Sequence, residues 1–166
     1  MNTVDDTARA HLLTVPGMQK VPTPRLDLFV LRGFLDPALC ESLIDQIEAN
    51  HRPSTIADAN GDPAFRTSST CDLDPAAPGV AALEARLAQI SGIDPRLGEP
   101  LQGQRYEVGQ EFKAHTDYFE PASDDYARYC SETGQRTWTF MVYLNAVSAG
   151  GATRFKLIDK IIQPEA

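Results

Sequence analysis

Apolar residues recur at helical spacing in two stretches of this chain and at strand spacing in three others. After Asp36-Pro37, the residues Leu39, Cys40, Leu43, Ile44 and Ile47 share one side of a helix with about 3.6 residues per turn, which predicts an amphipathic helix to about Asn50. Its start is chemically marked, because an aspartate can accept from the first free amides and a proline fits the first helical position. A second helix is predicted from Gly79 to about Ile90, with Val80, Leu83, Leu87 and Ile90 on one side and the turn residues of "SGIDPRLGEP" to end it. "RLDLFVLRGFL" (25–35) has a β-favouring core interrupted by Gly33. "LQGQRYEV" (101–108), "RTWTFMVYLN" (136–145) and "GGATRFKLI" (150–158) read as strands, the last entered through a Gly-Gly turn.

Between these elements the pattern breaks down. Residues 1–24 are polar, carry Pro16, Pro22 and Pro24, and read as a flexible arm before a domain over 25–166. Residues 51–78 are rich in Asp, Pro, Ser, Thr and Gly and predict a long irregular excursion, with one short strand near "FRTSST". Arg66, in that stretch, reads as a surface arginine. Residues 121–135 read as a polar loop. Helices first and strands later predict an α+β domain, a sheet or barrel backed by N-terminal helices.

The segment 136–145 carries two different faces. Trp138, Phe140, Val142 and Leu144 form an apolar side suited to packing on the helices. Thr137, Thr139, Met141, Tyr143 and Asn145 form a side of hydroxyls, a thioether and a phenol, which suits either a ligand-lined interior or solvent.

Composition narrows the partners. The 166 residues are 42% hydrophobic and 23% charged, as in one ordinary globular domain. The net charge of -8 argues against a nucleic-acid or anionic membrane partner, both of which need clustered Lys and Arg. No apolar run approaches the roughly 20 residues of a membrane span, and the N-terminus lacks the basic and apolar regions of a signal peptide. Cys40, Cys71 and Cys130 are odd in number and show no C-x-x-C spacing, so a zinc or disulfide framework is not expected and a reducing cytoplasm is.

One stretch suggests chemistry. "KAHTDYFEP" (113–121) sets His115 and Asp117 two apart, so that in extended chain both point to the same side. An imidazole and a carboxylate suit a borderline divalent metal, and two His with one carboxylate make the facial triad of non-haem Fe(II) oxygenases. Alone, the pair is a weak pattern. The plain alternative is a solvated histidine beside an aspartate that caps a turn.

The surroundings carry more. "QRYEVGQEFKAHTDYFEP", "GQRTWTFMVYLN" and "GGATRF" follow in an order and at separations that resemble the prolyl 4-hydroxylase-like branch of the 2-oxoglutarate- and Fe(II)-dependent dioxygenases. The likeness is closest over 101–158, and "FVLRGFLDPALCESLI" resembles that family's opening strand and helix. The resemblance implies a double-stranded β-helix, or jelly-roll, core. It implies Fe(II) held by His115 and Asp117, with 2-oxoglutarate as co-substrate in a pocket lined by Tyr106, Phe112, Thr139, Met141, Tyr143 and Thr153. Tyr143 matches a tyrosine whose hydroxyl reaches the distal carboxylate of the co-substrate. The implied reaction hydroxylates a prolyl or similar residue of a peptide or protein substrate, proline-containing by analogy, and releases succinate and carbon dioxide. An L-ascorbate (vitamin C) requirement follows from the family alone.

The pattern stops short of a complete triad. No histidine follows His115, and the family's basic anchor for 2-oxoglutarate has no counterpart after "GGATRF". His11 and His51 precede the motif and read as solvated. The expectation is therefore a fragment of a longer oxygenase, with the C-terminal closing strands missing and no measurable turnover by these residues alone. A non-catalytic jelly-roll binding module that has lost its metal site is the alternative. A coding region continuing into a histidine and a basic residue would favour the enzyme, and a genuine stop the module.

Overall fold

In the computed structural model, which describes residues 3–55 and 62–165, the Asp36 carboxylate accepts from the Leu39 amide at 2.9 Å and opens a helix, α2, over Pro37–Asn50. Before it lie a helix α1 (Thr3–Leu12) and two short strands, β1 (Gln19–Lys20) and β2 (Phe29–Val30), which pair antiparallel. After it come β3 (Arg52–Pro53), β4 (Ser69–Asp72), helix α3 (Pro78–Ser91), β5 (Gln102–Arg105), a short helix α4 (Asp124–Tyr129), β6 (Thr153–Phe155) and β7 (Lys160–Ile162). The helix α3 ends where Gly92 turns left-handed at φ 67°, a conformation costly for any residue with a Cβ.

The core is the space between two helices and one sheet. Cys40, Leu43 and Ile47 of α2 meet Cys71 of β4, Leu73, and Val80 and Leu83 of α3, with Leu35 closing one end. Strand β4 runs antiparallel to both β3 and β5, and its pairing sets Cys71 opposite Gly103. That register matters for packing. A Cβ on Gly103 would stand 2.3 Å from Ile47 Cγ1, so α2 lies as close to β5 as it does only because residue 103 has no side chain.

Three expectations are corrected. Within the stretch read as a loose arm, residues 3–12 form α1, which buries Ala8 and Leu12 and packs along α3, and the exposed His11 also reaches the protein, its Nε2 lying 2.8 Å from the Gln89 carbonyl. The loop 121–135 contains α4, whose N-cap Ser123 accepts from the Tyr126 amide at 3.1 Å. The segment 136–145 forms no strand and joins no sheet among the described residues. Alternation predicts its apolar face only in part: Val142 and Leu144 pack on the core and Trp138 lies 6.2 Å from the Phe29 ring, but Phe140 is exposed. It cannot predict a ladder, which needs a second backbone alongside.

The mixed helix-and-sheet architecture expected from the sequence is present. Sheets of two, three and two strands do not by themselves make a jelly roll. No helix among the described residues is long and apolar enough to cross a membrane.

The Gly103–Ile47 contact yields a stability test. Gly103→Ala should cost about 1–3 kcal/mol through overpacking, and adding Ile47→Ala should recover part of that loss rather than add to it. Urea unfolding of the two single variants and the double variant checks this non-additivity.

Candidate functional site

The chain leaves β5 at Arg105, turns at Glu107–Gln110, and comes back alongside the segment before β4. The turn is closed by the Gln110 amide donating to the Glu107 carbonyl at 3.0 Å. Gly109, at φ 87°, supplies the left-handed residue within it. On the return, Thr67 donates its amide to the Glu111 carbonyl at 2.9 Å and Lys113 donates its amide to the Phe65 carbonyl at 2.9 Å. The Lys113 ammonium reaches Asp62 at 2.9 Å. Residues 111–113 are thus fixed by backbone bonds immediately before His115.

The two candidate ligands converge. His115 Nε2 and Asp117 Oδ1 stand 3.6 Å apart. Each has its other polar atom engaged: His115 Nδ1 lies 2.7 Å from the Lys113 carbonyl, and Asp117 Oδ2 accepts from the Thr139 hydroxyl at 2.6 Å. A carbonyl can only accept, so Nδ1 donates in this contact and Nε2 is the nitrogen turned toward Asp117. The imidazole lies against Phe112, centroids 3.6 Å apart and planes 19° from parallel.

This donor set fits a divalent metal. Two neighbouring ligands each about 2.1 Å from a metal stand roughly 3 Å apart, close to the separation seen. Outer bonds that orient the ligating atoms are what metal sites require of their surroundings. No cluster of three His, Cys, Asp or Glu side chains exists among the described residues. The pair is also open, with the two side chains 34% and 42% exposed.

The remaining pocket candidates fall into separate groups. Thr139 and Phe112 border the pair directly, as just described. Tyr143 donates to Thr153 Oγ1 at 2.7 Å, with the Ile162 carbonyl at 3.3 Å, and Thr153 Oγ1 lies 3.6 Å from Met141 Sδ. This second group follows the first along one face of 136–145, four extended residues or roughly 13 Å from Thr139 to Tyr143. Tyr106 joins neither group and is 47% exposed.

Two residues that sequence reasoning passed over, and one that it read differently, help to shape the site. Gln135 takes the Phe119 amide on Oε1 at 3.0 Å and gives Nε2 to the Phe119 carbonyl at 2.7 Å, closing the loop after Asp117. Arg136 lies 4.5 Å from the Phe119 ring centroid and pairs with Glu99, whose hydrogen bonds, with a smaller contribution from Asp117, hold the guanidinium pKa above its ordinary value. Arg66 is not the surface arginine expected. Burial lowers its pKa, and its guanidinium donates to Thr55, Ser68, Thr70 and Gln104. The only hint for the first two was "GQR" directly before the alternating segment; a lone arginine among Ser and Thr gave none.

Comparison with known proteins agrees on one relationship. The pattern of the 2OG-Fe(II) oxygenase superfamily matches residues 101–166. Prolyl 4-hydroxylase 2 of Arabidopsis thaliana is 33% identical over 145 residues, covering 84% of this chain and 47% of that protein. Probable prolyl 4-hydroxylase 9 of the same plant is 32% identical over 131 residues, covering 74% of this chain and 44% of its own length. Prolyl 4-hydroxylase 13 is 32% identical over 133 residues, covering 77% and 47%. The chain spans just under half the length of these relatives.

Thr139→Val keeps the side-chain shape while removing the donor to Asp117. Affinity for Mn(II), used as an air-stable probe, should fall about tenfold with the melting temperature little changed. Calorimetric titration beside thermal unfolding reads both.

Proposed function

We propose that this chain, whose residues 101–166 match the pattern of the 2OG-Fe(II) oxygenase superfamily, forms the iron- and co-substrate-binding part of a 2-oxoglutarate-dependent dioxygenase. Its substrate is a prolyl or similar residue of a peptide, as the names of the relatives suggest. The observation that carries the proposal is the convergence of His115 Nε2 and Asp117 Oδ1 with their outer atoms already bonded.

Each residue then has a definite task. His115 and Asp117 hold Fe(II) as two neighbouring ligands. Lys113, through its carbonyl, keeps the His115 proton on Nδ1. Thr139 prevents Asp117 from rotating its free oxygen away. Bound Fe(II), with 2-oxoglutarate and dioxygen as co-substrates, supplies the oxidising chemistry. Tyr143 and Thr153 offer hydroxyls to a carboxylate, while Met141, Phe112 and Tyr106 supply less polar surface beside them. L-ascorbate is included by family analogy only.

A jelly-roll core is part of the same proposal. The segment 136–145 pairs with nothing among the described residues, while its Val142 and Leu144 pack on the core and its Thr139 and Tyr143 reach Asp117 and Thr153. That is how a barrel strand is arranged on its two sides. Trp138 Nε1, buried without a hydrogen-bond partner, lies on the same segment.

A second reading, a binding module without catalysis, is favoured by the absence of a third ligand cluster among the described residues. Anaerobic titration with Fe(II) and then 2-oxoglutarate separates the two. The dioxygenase reading expects a visible charge-transfer absorption that disappears in both His115→Ala and Asp117→Ala. A featureless spectrum in the unaltered protein, with 2-oxoglutarate still bound, would leave only the module.

A further inference from the structure

Phe112 is enclosed by three side chains. The His115 imidazole is stacked on it, Phe65 meets it edge-on at 5.9 Å and 78°, and the Arg66 guanidinium carbon lies 4.6 Å from its ring centroid. Of these, Arg66 is the most firmly anchored. It donates from Nη1 to the Thr55 carbonyl at 3.0 Å, from Nη2 to Gln104 Oε1 at 2.6 Å and Thr70 Oγ1 at 3.2 Å, and from Nε to Ser68 Oγ at 3.3 Å. Its backbone also bridges that of Phe112. One planar group thereby ties the β3–β4–β5 sheet to the ring that supports His115.

Its partners are unusual for an arginine. All four are neutral, and burial, the main influence, lowers its pKa although nearby Tyr106 acts the other way. The guanidinium is half-buried and held by four directional bonds, an arrangement that serves geometry more than charge pairing. A lysine could carry the charge but could not fork to four acceptors while lying flat against a ring.

We propose that Arg66 is a positioning residue, which locks Phe112 to the sheet and through that ring sets the direction of His115 Nε2. This rests on the metal-site reading of His115, but the arrangement exists without metal and can be tested without it. The chain has three histidines, so His115 can be followed by NMR with His11 and His51 as internal controls. In the metal-free protein the His115 ring protons should resonate upfield, because the imidazole lies on an aromatic face. Phe112→Leu should abolish that displacement. Arg66→Met should abolish most of it while the His11 and His51 signals stay in place, and Arg66→Lys should resemble Arg66→Met because charge alone does not hold the ring.

A general loosening of the fold would move all three histidines together and would overturn the proposal. So would an unchanged His115 signal in either Arg66 variant, and Arg66→Lys keeps the test available should Arg66→Met fold poorly. In a second arm, Arg66→Met should weaken Mn(II) binding about tenfold. If Mn(II) leaves the His115 signal of the unaltered protein unbroadened, the metal reading fails, and the ring displacement still decides the role of Arg66.

Discussion

Everything downstream of the helices depends on how closely α2 lies on strand β5. Ile47 occupies the space where any side chain at residue 103 would stand. With β5 fixed there, its antiparallel register with β4 fixes Gln104 opposite Thr70, and both residues accept from Arg66. The turn after β5 then carries the chain back to 111–113, beside 65–67, two residues before His115. A packing contact in the N-terminal half thus determines where an imidazole sits in the C-terminal half.

The legible part of the fold was the part governed by local rules. Asp36 and Pro37 mark a helix start whatever surrounds them, and α2 begins there. The helix predicted from Gly79 to Ile90 is found over Pro78–Ser91, with Val80, Leu83 and Leu87 of its apolar stripe on the core. Where the outcome depends on a distant partner, the pattern was insufficient. Helix α1 is polar on average, and its place is secured by contact with α3 and by His11 reaching Gln89, 78 residues away. The segment 136–145 shows the opposite case: its alternation foretells the packing of Val142 and Leu144 but not the exposure of Phe140, and pairing requires a backbone beside it.

The candidate site divides along the same line. His115 and Asp117 were legible because a separation of two in an extended chain places both on one side, and Thr139 because alternation assigns it to the polar face. Tyr143, Thr153 and Met141 also meet, but in a group of their own, and Tyr106 lies outside both. Arg66, Gln135 and Arg136 act through partners between 16 and 38 residues away or across a ring, and no spacing rule reports such contacts.

Charge near the site is distributed in a way that bears on its chemistry. Lys113 is paired with Asp62, Arg105 with Glu48 and Glu107, and Arg136 with Glu99, so these cations are neutralised close to where they sit. Among the described residues, the acceptors of Arg66 are all neutral. An arginine paired with a carboxylate could exchange partners with an arriving anion, because each bond lost would be replaced by one of similar strength. An arginine that donates to a carbonyl, an amide and two hydroxyls of one sheet would have to give up several fixed bonds to do so. The bonding of Arg66 therefore favours holding a ring over recruiting a ligand.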